Sequence, residues 1–185
     1  VTGSEHRTLV LGGARSGKSA HAEGLLPREG AATYVATARR DPRDEEWNRR
    51  IADHVARRPA NWNTVEAPRP DELVDLLDNA RATDPPILVD DLATWLTGAL
   101  DDAGAWERDT SALTIVRGQR DELRRASESC SARLLLVSAE VGLGVVPESR
   151  AGRLFRDELG ALNAGLAEVC DDVLLLVAGL PLRLR

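Results

Sequence analysis

The residues with the clearest capacity for chemistry are Gly12-Gly13-Ala14-Arg15-Ser16-Gly17-Lys18-Ser19. They fit G-x-x-x-x-G-K-[ST], a loop whose backbone N–H groups wrap nucleotide phosphates while the lysine reaches the β- and γ-phosphates and the hydroxyl takes Mg²⁺. Lys18 is the sole lysine among 24 basic residues, all the others being arginine. A compact ammonium fits this cradle where a planar guanidinium fork does not. A second acidic element has the matching chemistry. Ile87-Leu88-Val89-Asp90 reads as an apolar strand ending in a carboxylate, the place from which Mg²⁺ or its water shell is held beside such a loop. The neighbouring Asp91 suits the N-cap of a following helix.

These groups need a scaffold that brings loop and carboxylate together. Short apolar runs alternate with amphipathic stretches, which predicts an α/β fold, a single P-loop domain with a mostly parallel central sheet flanked by helices. The predicted strands are Thr8–Leu11, Thr33–Ala36, Thr64–Glu66, Ile87–Asp90, Leu134–Ser138 and Val173–Val177, with Leu182–Leu184 closing the sheet. Predicted helices cover Ala20–Leu26, Asp44–Arg57, Asp71–Ala80, Leu92–Leu100, Trp106–Ser127 and Arg150–Val169, and prolines fall between these runs, where a missing N–H does least harm. Residues 1–7 read as a flexible tail and 8–185 as the nucleotide-binding domain. Nucleotide is then expected at the carboxyl ends of the strands.

Composition narrows the function. A net charge of −6 excludes a general nucleic-acid binder, which needs basic surface to displace counterions. The polar start lacks the apolar segment of a secretory signal, and no apolar run approaches membrane-spanning length, so a cytoplasmic protein is expected. Cys130 and Cys170 make no Cys-x-x-Cys pair and read as small buried residues in a reducing compartment. Arg39-Arg40, Arg43, Arg49-Arg50 and Arg57-Arg58 form a basic island that suits either an anionic substrate or a solvated face. A guanine-reading Asn/Thr-Lys-x-Asp motif is impossible with the one lysine already in the phosphate loop. A Leu-Ser-Gly-Gly-Gln motif is also absent, which leaves a small-molecule or nucleotide kinase.

Further segments carry a family resemblance over nearly the whole chain. They are the phosphate loop with Ala22-Glu23, Tyr34-Val35-Ala36-Thr37, Arg50-Ile51-x-x-His54-x-x-x-Arg58-Pro59, Thr64-Val65-Glu66-Ala67-Pro68, Glu140-Val141-Gly142-Leu143-Gly144-Val145-Val146-Pro147-Glu148, Phe155-Arg156-Asp157 with Gly160-x-x-Asn163, and Val177-Ala178-Gly179-Leu180-Pro181-Leu182-Arg183. Together they resemble the bifunctional adenosylcobinamide kinase/adenosylcobinamide-phosphate guanylyltransferases of cobalamin biosynthesis. That resemblance implies phosphorylation of adenosylcobinamide with ATP or GTP. Transfer of GMP from GTP through a guanylyl-histidine then gives adenosylcobinamide-GDP and pyrophosphate.

The resemblance assigns His54 as the nucleophile; taken alone, a lone helical histidine reads equally as a solvated or capping side chain. A neutral imidazole is nucleophilic near neutral pH and leaves again, which suits a two-step transfer. Lys18 is expected to stabilise charge during transfer, and Ser19 and Asp90 to hold Mg²⁺. Ala36, Thr37 and Ala38 are expected to line the nucleotide. Arg57 and Arg58 either clamp phosphates or solvate a helix end. Glu66 is a candidate for guanine, since a carboxylate accepts from N1–H and the exocyclic amine together; the alternative is an ordinary edge-strand glutamate. The Glu140–Glu148 loop suits closure over a corrinoid or phosphate, or is a plain surface connection. The resemblance also implies a homo-oligomer, specifically a trimer. Asp53, Asp91, Gly98, Ala139 and Ser149 depart from the residues common in the family, respectively His, Cys, Asn, Asn and Asn. The alternatives are a small P-loop kinase of another alcohol or nucleotide, and a nucleotide-binding regulatory protein without turnover.

Overall fold

The computed structural model describes residues 6–39, 43–45, 48–49, 52, 59–107 and 109–185. Seven strands form one sheet: β1 (Arg7–Gly12), β2 (Ala32–Ala36), β3 (Trp62–Glu66), β4 (Ile87–Asp90), β5 (Leu134–Ala139), β6 (Asp172–Val177) and β7 (Leu180–Arg183), in the order β3-β2-β4-β5-β1-β6-β7. The first six are mutually parallel, and β7 returns antiparallel along β6. The helices are α1 (Lys18–Gly24), α2 (Pro70–Asp78), α3 (Leu92–Ala103), α4 (Thr110–Ser129) and α5 (Arg150–Val169). The sheet is thus mostly parallel, as the alternating runs predict.

Central parallel strands are covered on both faces, and their sequences are accordingly near-continuous apolar runs rather than alternating ones. Leu9, Leu11, Val89, Leu134 and Leu136 face the main core, whose helical residues include Leu73, Leu77, Trp95, Leu96, Leu123, Leu159 and Leu162. The opposite face, with Val10, Tyr34, Leu88, Leu135, Val137 and Leu176, packs with Ala22 and Leu26 at and just beyond α1. Glu158 on α5 is buried but meets Arg117 and Arg120 of α4 at 2.8 and 3.2 Å, so the charge is paired and locks two core helices together.

Several boundaries move for identifiable reasons. Arg7 belongs to β1 rather than to a tail: its backbone N–H donates to Asp171 Oδ2 at 2.9 Å, and its side chain also meets the Glu128 carbonyl. The stretch predicted as one helix from Trp106 is a short 3₁₀ turn, Ala105–Glu107, followed by α4. Gly104, at φ 63°, ends α3 in the left-handed conformation, and Asp109 starts α4 by accepting the Ser111 N–H at 3.0 Å. β7 begins two residues before the predicted Leu182. Ala178 and Gly179, at φ 53° and 82°, make a two-residue hairpin turn that pairs Val177 with Leu180. Of the predicted Asp44–Arg57 helix, residues 45, 48, 49 and 52 are helical, Asp44 precedes them outside the helix, and the others lie outside the described residues.

Candidate active site

Parallel strands all deliver their carboxyl ends to one edge of the sheet, and there the fold gathers Gly12, Ala36, Glu66, Asp90 and Ala139. β1 runs directly into the phosphate loop. Two glycines of that loop are forced. A Cβ on Gly12 would lie 2.3 Å from Ser16 Oγ and 3.0 Å from the Leu176 carbonyl oxygen, and Gly17 sits at φ 87°, where L side chains are strained. Arg15 also adopts positive φ, 57°. This alternation turns successive N–H groups toward one concavity, the geometry of an anion nest. Only the Ser16 N–H is used within the loop, donating to the Gly13 carbonyl at 3.2 Å. The resulting depression, about 420 Å³, is lined by Arg15, Ser16, Gly17, Lys18, Ser19, Ala20 and Glu23.

Lys18 folds back over the loop, its Nζ 3.5 Å from the Gly13 carbonyl, and no described carboxylate pairs with it. Its charge therefore faces the cradle. Ser19 Oγ donates to Asp90 Oδ1 at 3.0 Å, which brings together the hydroxyl and carboxylate chosen from sequence. Both residues are half-buried. A hydroxyl whose proton is taken by a carboxylate presents its lone pairs outward. Two hard oxygen donors beside a phosphate cradle suit Mg²⁺, which typically takes one or two carboxylates, substrate phosphates and water. No cluster of three His, Cys, Asp or Glu side chains occurs among the described residues.

The ends of β2 and β4 are tied together. Thr37 is buried; its Oγ1 donates to the Asp91 carbonyl at 2.7 Å and accepts the Asp91 N–H at 3.3 Å. Its side chain thus fastens the two strand ends together, while Ala36 and Ala38 remain part-exposed on either side. Asp91 caps α3, accepting the Ala93 N–H at 2.9 Å. Glu66 lies exposed at the end of edge strand β3, in register with Ala36. His54, Arg57 and Arg58 lie outside the described residues, as do Arg40, Arg50 and Asp53.

Arg39 does not serve as a free anion-binding group. Its guanidinium makes a fork with Asp102 at 2.7 and 2.6 Å and donates through Nε to the Pro68 carbonyl at 2.8 Å. The hydrogen bond to Arg39 holds the Asp102 carboxyl below its usual range, and the same bond raises Arg39. Gly98 provides the space. A Cβ there would meet Arg39 Nη2 at 3.3 Å, tighter than ordinary contact. Ser149, another departure from the family pattern, caps α5 by accepting the Gly152 N–H at 3.0 Å.

Two outer supports of the loop come from distant parts of the chain. The Glu140 N–H donates to the Gly12 carbonyl at 3.0 Å, and the Gly179 N–H of the β6–β7 turn donates to the Ser16 carbonyl, also at 3.0 Å. β5 ends in a fixed position because buried Asn163 accepts from Ser138 Oγ at 2.6 Å and donates to the Ala139 carbonyl at 3.0 Å.

The comparison with known proteins decides among the kinases that such a loop could serve. The family described as cobinamide kinase / cobinamide phosphate guanyltransferase matches residues 8–184. The chain belongs to that family. It is 42% identical over 182 residues to the bifunctional adenosylcobalamin biosynthesis protein CobP of Pseudomonas aeruginosa, covering 97% of each chain. It is 38% identical over 183 residues to the bifunctional adenosylcobalamin biosynthesis protein CobU of Salmonella typhimurium, covering 96% of this chain and 98% of that one. Among solved structures, an ATPase of a bacterial type III secretion system matches with a TM-score of 0.58 and 11% identity, over 94% of this chain and 51% of that one. That likeness shows the P-loop ATPase fold alone. This member of the cobinamide kinase family therefore keeps the phosphate loop and its acidic partner intact. Tyr34, Asn163 and the Ala178-Gly179 turn, which in the sequence belong to the segments that carry the family resemblance, support the site through contacts that no charge or motif chemistry assigns them.

Proposed function

We propose that this enzyme phosphorylates adenosylcobinamide with ATP or GTP and then converts the phosphate to adenosylcobinamide-GDP. The carrying observation is the Ser19–Asp90 contact of 3.0 Å inside an intact phosphate loop, in a chain of this family. In the first step the substrate hydroxyl oxygen bonds to the γ-phosphorus as the bond to the departing nucleoside diphosphate breaks, and the hydroxyl proton passes to solvent. The loop N–H groups orient the triphosphate, and Lys18 offsets charge on the transferring group. Ser19 and Asp90 would hold Mg²⁺, which would offset phosphate charge when bound. In the second step a His54 ring nitrogen attacks the α-phosphorus of GTP and expels pyrophosphate. A phosphate oxygen of adenosylcobinamide phosphate then takes the guanylyl group and frees the imidazole.

In this reading Arg57 and Arg58 bind phosphates, Ala36 and Ala38 border the nucleotide and Glu66 reads guanine. The 141–147 loop covers the corrinoid. That role is supported by exposed Leu143, Val145 and Val146 on a segment rooted at Gly12 through Glu140. The assembly is a homo-oligomer, a trimer on the family resemblance. Exposed Val177, Leu180, Leu182 and Leu184 on one sheet edge support self-association. The setting is the cytoplasm. Cys130 and Cys170 are unpaired and buried, and burial pushes the Cys170 thiol up to about 12, so neither is poised for redox chemistry. No described helix is long and apolar enough to cross a membrane.

Incubation with α-labelled GTP tests the whole assignment. Covalent label that chases into adenosylcobinamide-GDP is expected. Phosphate transfer without label points to a plain kinase, and nucleotide binding with neither points to a regulatory module. The metal role has its own test. Asp90→Asn preserves size and removes only charge, so it should raise the Mg²⁺ concentration needed for half-maximal kinase rate while the circular dichroism spectrum stays that of the parent. An unaltered Mg²⁺ requirement would remove Asp90 from the metal site.

A further inference from the structure

The one tyrosine in the chain is buried, 2% exposed, on β2, the strand between edge strand β3 and β4. Its hydroxyl donates to Asp90 Oδ2 at 2.6 Å. β2 and β4 pair with Ala36 opposite Asp90, so Tyr34 sits two residues back on the same face and its ring reaches diagonally to the carboxylate. That ring is held in the cluster containing Leu88, Leu135 and Trp62. A buried phenol needs a hydrogen-bond partner, and this one meets the acidic group already bonded to Ser19. The two Asp90 oxygens are thereby divided: Oδ1 takes the Ser19 hydroxyl at 3.0 Å and Oδ2 takes the Tyr34 hydroxyl.

We infer that Tyr34 is a positioning residue for the metal half of the site, fixing the Asp90 carboxylate so that Oδ1 stays on Ser19. The inference rests on the metal-holding role proposed above for Ser19 and Asp90. An ionised carboxylate offers about four lone-pair positions, and the two used by Tyr34 and Ser19 fix where the others point. A short bond from a rigid, packed phenol to a charged acceptor selects one rotamer of Asp90 before nucleotide arrives. Without it, half-buried Asp90 exchanges a fixed donor for water and turns about its side-chain bonds. The Ser19 hydroxyl then loses a constant acceptor, and the donor pair must be ordered at the moment of metal binding.

Tyr34→Phe removes one O–H and leaves the packed ring. Mn²⁺ binding measured by electron paramagnetic resonance in the presence of ADP, which supplies phosphates without turnover, should weaken about tenfold, the scale of one hydrogen bond to a charged group. The Mg²⁺ requirement of the kinase should rise by the same factor, with the KM for ATP at saturating Mg²⁺ little changed. A purely structural tyrosine would lower stability without that split. Because the chain has one tyrosine, ζ-¹³C-tyrosine labelling of the parent protein gives a single ring resonance, which Mg²⁺ added with ADP should shift. That measurement decides the matter even if Tyr34→Phe fails to fold. Parent-like Mn²⁺ affinity in Tyr34→Phe, or a tyrosine resonance indifferent to Mg²⁺, overturns the inference. If Asp90→Asn weakens Mn²⁺ binding while Tyr34→Phe does not, Tyr34 loses its role and the metal site stands. If Asp90→Asn also leaves Mn²⁺ binding unaltered, both readings fall together.

Discussion

His54→Ala is expected to abolish guanylyl transfer and the covalent GMP label while adenosylcobinamide phosphorylation remains measurable. The two reactions differ in what they demand of the protein. Phosphoryl transfer moves the γ-phosphoryl straight to a substrate hydroxyl, and its catalysis is positioning and charge stabilisation by the loop, Lys18 and the Ser19–Asp90 pair. Guanylyl transfer by the proposed route needs a nitrogen that attacks the α-phosphorus and later departs, which alanine cannot supply. The adduct should be lost in acid and survive alkali, as a phosphoramidate does and an acyl phosphate on Asp53 does not. GMP located on another residue by mass spectrometry, or adenosylcobinamide-GDP formed by the alanine variant at the parent rate, would discard this nucleophile while leaving family membership intact.

Lys18→Ala should reduce kinase rate by at least about 10²-fold, the scale of removing one charge-stabilising donor from a transferring group. A guanidinium does not substitute for it: Arg15 lines the same depression, but its planar fork does not fit the phosphate cradle as a compact ammonium does. The chain has no other lysine, and Arg39, close in sequence to the strand end, is engaged by Asp102 and the Pro68 carbonyl. Single-turnover phosphorylation under saturating ATP and Mg²⁺ separates this loss from weaker binding. Near-parental turnover by a folded variant would withdraw the phosphate-loop assignment altogether.

The parts of this site legible in sequence share a property: each is local, or is the end of a local pattern. The phosphate loop is contiguous, its strand is an unbroken apolar run, and Asp90 declares itself by closing another. A parallel sheet with nucleotide at its carboxyl edge follows from such pieces, so Ser19 and Asp90 could be paired before their 3.0 Å contact was seen. What escaped depends on strand order or on which way a side chain turns. Tyr34 stands in a segment that carries the family resemblance, but its contact with Asp90 is invisible until β2 is placed beside β4. Thr37 enters through the family resemblance as a nucleotide-lining residue, and the bonds of its hydroxyl to the Asp91 backbone show only once β2 and β4 lie side by side. Arg39 reads as one member of a basic island because its partner, Asp102, lies on a helix far along the chain. The interrupted helix before Thr110 turns on Gly104 and Asp109, a glycine stop and an acidic cap that hydrophobic periodicity passes over.

The β6–β7 turn sets an order on biosynthesis. Its Gly179 N–H holds the Ser16 carbonyl, and β1, which carries the loop, lies between β5 and β6, both made long after it. The nucleotide loop precedes both neighbouring strands and both outer supports along the chain: β5 and the Glu140 N–H come first, β6 and the Gly179 N–H only after them. Pairings so distant in sequence carry a large loop-closure entropy and form slowly. A nascent chain arrested before residue 172, with β5 and Glu140 beside the loop but without β6 and the Gly179 N–H, should therefore hold ATP more weakly than the full chain.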